Sequence, residues 1–170
     1  MAYVTHLQLA ERPGARELAQ VASPDHAAVV ADELMDATLR GGDRAAWSED
    51  ERAVADAALA RIDQVVAQAD SLIDGFLVKR GYPLPLNPVP LIVAAWATAI
   101  ARYQLHKDRI GDEKTDPIAR DYRDAMKLLQ LTSTGQFSLG ADDPVVSSPA
   151  SDVRFESDAP VFSRGARRRM

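Results

Sequence analysis

Residues 48–81, SEDERAVADAALARIDQVVAQADSLIDGFLVKRG, decide the fold. Ser48 followed by Glu51 is a capping box: the serine hydroxyl accepts from a free amide of the first turn and the glutamate reaches back to the serine amide. Three acids in that turn face the positive end of the helix dipole. At the other end, Lys79 and Arg80 complement the negative end, and Gly81 can take the left-handed conformation that closes a helix. Between them Val54, Ala58, Ile62, Val65, Ala69, Leu72 and Phe76 recur at steps of three and four, which predicts one apolar helical face. A helix over 49–80 would be about 48 Å long, the spine of whatever surrounds it. Gly75 lies inside it, and Asp70 and Asp74 sit one turn apart.

Working downstream, Tyr82-Pro83-Leu84-Pro85-Leu86-Asn87-Pro88-Val89-Pro90 cannot be helical, because four prolines remove donors and fix φ. An extended, polyproline-like strap is expected, with its leucines and tyrosine packed on the spine; an SH3-type ligand is the sharper alternative. Leu91 to Lys107 predicts a third long helix, with Ile92, Ala95, Trp96, Ala99, Ile100 and Tyr103 on one face. Asp116-Pro117 starts another, with Ile118, Tyr122, Ala125, Met126 and Leu129 as its stripe, and Thr132–Gly135 ends it. Upstream, Thr5 caps a short first helix that Pro13-Gly14 ends or interrupts. Ser23-Pro24-Asp25 predicts a helix start, with Val29, Val30, Leu34, Met35 and Leu39 running to Gly41-Gly42. Period-two alternation is essentially absent. The class is all-α, a small helical bundle with a long central helix. Its expected core includes Val54, Ile62, Val65, Leu72, Phe76, Ile92, Trp96, Ile100, Tyr122 and Leu129.

The texture changes near residue 140. Residues 1–140 carry 15 Lys and Arg against 20 acids, whereas 141–170 carry 5 Arg against 5 acids, with three prolines and five serines. The expected division is therefore a helical body, 1–140, and an extended, flexible C-terminal arm, 141–170. Within the arm, Val161 and Phe162 are candidate apolar anchors, and Arg164, Arg167, Arg168 and Arg169 a local cationic patch for a partner.

The chain has 170 residues, no cysteine, three histidines and a net charge of −5. Thiolate metal sites, disulfides and cysteine nucleophiles are thus excluded. His6, His26 and His106 show no metal-ligand spacing. His6 is expected in a surface or capping role, and His26 and His106 in solvent. Asp70 and Asp74 could serve acid–base chemistry, but no Glu-x-x-His motif or evident partner accompanies them. The reading expects no catalytic residue, no cofactor and no metal. An acidic body argues against a general nucleic-acid binder, although the terminal arginines leave a small DNA-binding or regulatory module as the alternative. The longest apolar patch, Leu91–Ala101, is too short to span a membrane. No secretory signal pattern opens the chain, which is expected to stay where it is made.

Several segments together resemble the Mu-like phage and prophage head–tail adaptor family. They are the opening Met1-Ala-Tyr-Val-Thr, Asp70–Leu77 with Asp74 and Gly75, and the strap with Tyr82, Pro83, Pro85, Pro88 and Pro90. Ile100-Ala-Arg102-Tyr103, Phe137–Gly140 and Val161-Phe-Ser-Arg164 complete the set. The segment Ala27–Trp47 looks longer than that pattern. The resemblance implies a virion structural protein at the head–tail junction, made in the bacterial host cytoplasm. It implies a homo-oligomeric ring, commonly of twelve, beneath the portal protein. Such a ring recruits stopper or tail-side connector proteins while DNA passes through its lumen without specific binding.

Overall fold

The computed structural model describes residues 2–140 and Pro144. The order along the chain is α1 (His6–Leu9), a kinked wide turn (Ala10–Gly14), α2 (Ala15–Ala22), α3 (Asp32–Arg40) and α4 (Glu49–Arg80). Then follow α5 (Leu91–His106), a 3₁₀ turn (Lys107–Arg109) and α6 (Pro117–Ser133). Among the described residues there is no strand. The protein is all-α.

The spine forms as its sequence dictates. The Ser48 amide donates to Glu51 Oε2 at 2.8 Å, Glu51 N–H donates to Ser48 Oγ at 3.3 Å, and Gly81 closes the helix with φ of 95°. The buried row, however, is Ala55, Ala58, Ile62, Val66, Ala69, Ile73 and Leu77. Val54, Val65, Leu72 and Phe76 flank it, half-buried. The expected stripe is thus displaced by about one residue, because α4 is covered from two directions. α2 and α3 pack on it, and so do α5 and α6. A helix with neighbours on two sides buries a wider arc than one stripe.

α4, α5 and α6 run up, down and up. Tyr103 near the end of α5 stacks on Tyr122 near the start of α6, with ring centroids 4.1 Å apart and planes 9° apart. Where α6 ends, a Cβ at Gly135 (φ 78°) would come within 3.0 Å of the Arg80 guanidinium at the end of α4. Asp116 caps α6 by accepting from Ile118 N–H at 2.7 Å and Ala119 N–H at 3.1 Å. The strap between α4 and α5 is non-helical and bends at 84–85 and 87–88. Tyr82 and Leu86 are buried and Leu84 half-buried, while Pro83, Pro85 and Pro88 face outward. Of the expected core, Ile62, Trp96, Ile100 and Leu129 are buried, and Ile92 and Tyr122 half-buried. In α5, Ala95 is exposed, and Val93, Ala97, Ala101 and Leu105 fill the interior instead.

The N-terminal layer departs most from expectation. Ser23 does not start a helix. It ends α2, donating its hydroxyl to Ala19 O at 2.6 Å and accepting from Val30 N–H at 3.0 Å. A serine followed by proline is as good a helix exit as a helix entry, and here the eight residues after it cross to α3 as a clamped loop. Consequently α3 begins at Asp32, and Val29 lies exposed.

Candidate functional site

Two polar fixtures and two grooves are the features on which chemistry or a partner could act. The first fixture is a latch on the spine. Tyr3 O–H donates to Asp74, and Tyr3 N–H donates to Asp70 Oδ1 at 3.3 Å. Burial pushes the Tyr3 phenol well above its usual range, and the Asp74 carboxylate reinforces the effect. Burial likewise raises Asp70, only partly offset by the Tyr3 amide. The two aspartates therefore have a partner that the sequence reading did not identify, and that partner anchors the chain's start.

The second fixture is a clasp. Arg102 on α5 grips Glu17 on α2 with both arms, Nε to Oε1 at 2.5 Å and Nη2 to Oε2 at 2.8 Å. His106, one turn along, bonds Glu17 Oε1 through Nε2 at 2.9 Å. Burial alone would raise Glu17, but Arg102 and then His106 outweigh it and hold the carboxyl below its ordinary range. The expected solvated His106 is thereby corrected: its side chain is 17% exposed and tied to an acid 89 positions away. His6 is also engaged, bonding Asp63 at 2.6 Å at the surface. Glu17 carried no local signal, since its partners lie on a helix far along the chain.

The remaining singled-out residues serve mainly as structure. The Tyr82 hydroxyl accepts from Leu139 N–H at 3.1 Å, and Pro90 is the N-cap of α5, its carbonyl accepting from Val93 N–H at 3.0 Å. Tyr103 O–H donates to Glu113 at 2.9 Å. Trp96 packs against Phe137, 6.1 Å away between ring centroids, rather than pairing with Tyr103. Gly75 is different. A Cβ there would meet nothing within 4 Å, so packing does not require it. Val161, Phe162, Arg164, Arg167, Arg168 and Arg169 lie outside the described residues.

The grooves flank α6 on opposite sides. One, of about 480 Å³, lies between the kinked turn, α5 and α6, over a floor that includes Ala95, Ala99 and Leu128. Arg12 and Arg102 stand on one wall, Asp121 and Asp124 on the other. The second, of about 490 Å³, is lined by Phe76, Tyr122 and Met126 with three cations, Lys79, Arg123 and Lys127, and no acid. Among the described residues no group of three or more His, Asp or Glu is placed to hold a metal ion. No helix among them is long and apolar enough to cross a membrane.

The family model described as Bacteriophage Mu, Gp36 matches residues 3–157. The chain belongs to that family. A relative, the Mu-like prophage FluMu protein gp36 of Haemophilus influenzae, is 30% identical over 128 residues, covering 75% of this chain and 85% of its own. The Gp36 match spans the latch, the clasp, the strap and both grooves, and ends before Val161–Arg169. This is a protein of a Mu-like phage or prophage family.

Proposed function

We propose that the protein is a head–tail adaptor: a non-catalytic virion component that forms a ring under the portal protein and joins the capsid vertex to tail-side proteins. The match to the Mu Gp36 family over residues 3–157 carries this reading. The surface chemistry supports it. A heterologous ring needs two different patches on each subunit. Here two grooves of similar volume flank α6, one with acids on its α6 wall and the other lined with cations. The acids and histidines singled out as candidates for chemistry are engaged by other side chains or backbone: Asp70 and Asp74 by Tyr3, His106 by Glu17 and His6 by Asp63. On this reading residues 141–170 provide contacts beyond the body, and DNA traverses the lumen without a dedicated site.

The test is genetic and visual. Deleting this gene from an inducible prophage should leave filled heads and finished tails unjoined, and supplying the chain in trans should restore whole particles. Whole, infectious particles from the deletion would refute the adaptor role.

A further inference from the structure

The cationic groove beside α6 is an exception on a body whose acids outnumber its Lys and Arg, 20 to 15 over residues 1–140. Lys79, Arg123 and Lys127 stand around an apolar floor of Phe76, Tyr122 and Met126. Lys79 and Lys127 have no hydrogen-bond or ion-pair partner among the described residues, and Arg123 reaches only the Lys114 carbonyl, at 3.4 Å. Gly75, one turn before Lys79, leaves that stretch of α4 bare, although a Cβ there would meet nothing within 4 Å. Glycine weakens a helix, so bareness that internal packing does not need suits a close approach from outside.

A surface of the opposite kind lies in the N-terminal layer. Residues 24–33 run from the end of α2 into the first turn of α3 and hold three acids but no lysine or arginine. Val29 is 60% exposed, and Asp25, Asp32 and Glu33 are exposed with it. Of these acids only Asp32 has an ion-pair neighbour among the described residues, Arg16 at 3.8 Å. The loop is already fixed in shape: Val30 N–H donates to Ser23 Oγ at 3.0 Å and Ala27 N–H to Pro24 O at 3.0 Å. Docking such a loop costs little further ordering. Within one chain none of these residues lines the groove.

We propose that the cationic groove receives residues 24–33 of a second copy of this chain, with Val29 on the apolar floor and Asp25, Asp32 and Glu33 among the three cations. The inference deepens the ring reading and rests on it. Two grooves cannot fill each other, so the counterpart of a groove has to protrude, and the clamped loop does. The match is double, acid to cation and valine to apolar floor, and the charges fix the orientation of docking. A nucleic-acid backbone would answer the cations and leave Phe76 and Met126 uncovered. Because loop and groove are different patches, the contact runs head to tail, and each copy keeps one free groove or loop for the next.

The chain has no cysteine, so introduced ones report cleanly. Ala28→Cys and Gln130→Cys are placed in separate preparations of the full chain; Ala28 is exposed beside Val29, and Gln130 lines the groove. Mixed at high micromolar concentration and oxidised, they should form a disulfide between unlike variants, identified by peptide mass, well ahead of either symmetric product. Lys79→Glu with Lys127→Glu in the Gln130→Cys chain should slow it about tenfold or more, and Asp32→Lys with Glu33→Lys in its partner should restore it. Val29→Asp should slow it too, whereas attraction by charge alone would make it faster. Thermal unfolding of the reduced variants checks that each body is intact. No mixed disulfide, symmetric products that form as fast, or a rate indifferent to charge reversal would overturn the proposal. So would faster cross-linking by Val29→Asp. The cross-link reads the contact alone: its failure, with heads and tails still unjoined in the gene deletion, would reject the contact and keep the adaptor.

Discussion

The three long helices and the N-terminal layer solve the same problem differently. α4, α5 and α6 are long, carry their own start and stop signals, and meet through buried apolar rows. α1, α2 and α3 are 4, 8 and 9 residues long, too short to be stable alone. They too bury apolar side chains, but their placement is set by polar ties to distant helices: Tyr3 to Asp70 and Asp74, Glu17 to Arg102 and His106, Arg44 to Asp56. Long helices take their position from hydrophobic burial; short ones need directional contacts to choose among the ways they could pack.

The largest effect should come from breaking the point where the two regions meet. Ile62 is 1% exposed and lies with Leu9, Leu18 and Leu105. Ile62→Asp buries an unpaired carboxylate and should cost several kcal/mol, unfolding both regions together. Wild-type thermal stability in that variant would refute the shared core.

Next in size is the clasp. Glu17→Ala strands a guanidinium that is only 31% exposed and should cost about 1–3 kcal/mol. Hydrogen exchange should then show faster exchange in α1–α3 while the centres of α4–α6 keep their protection. Uniform loss across all six helices would erase the distinction between the two regions.

The acids of the clasp and the latch, Glu17 and Asp70, sharpen the comparison because their pH effects have opposite signs. Glu17 is held below its ordinary range, so the stability it contributes is complete above that range and is lost as pH falls through the lowered value. Glu17→Gln should therefore flatten the acid limb of the stability profile. Asp70 is raised by burial, so its contribution is present below the ordinary aspartate range and is lost as pH rises through the raised value. Asp70→Asn, which can still accept from the Tyr3 amide, should raise the melting temperature at neutral pH and change little in acid. A drop at neutral pH would mean that the latch needs the charge.

The smallest effect belongs to Gly75. Since a Cβ there has open space, Gly75→Ala should stabilise α4 by about 0.5–1 kcal/mol in denaturant titrations. If that variant is more stable yet fails in particle assembly, Gly75 marks a surface that a partner approaches closely.

The same contrast governs what the sequence disclosed. The spine's bounds, the strap and the Asp116-Pro117 start were legible because capping and proline effects act over three or four residues. The exact buried row of α4 was not, since Val65 and Val66 differ only in which neighbours arrive. Ser23 was misjudged because its clamp on Val30 is tertiary information carried by a local signal with two meanings. The clasp was half visible: Arg102 belongs to the family-like segment, but Glu17, 85 positions earlier, carries nothing to connect them. The grooves needed the third dimension altogether.

The central claim is that this chain belongs at the junction between head and tail. The most direct measurement is electron cryo-microscopy of intact particles from the induced prophage, focused on that junction and compared with particles whose copy of this chain carries a C-terminal fusion. The account predicts a ring of helical density under the portal, containing the 32-residue α4 rod in every subunit, with extra density where the fusion is attached. Infectious particles with a complete junction that contains no such subunit would contradict it.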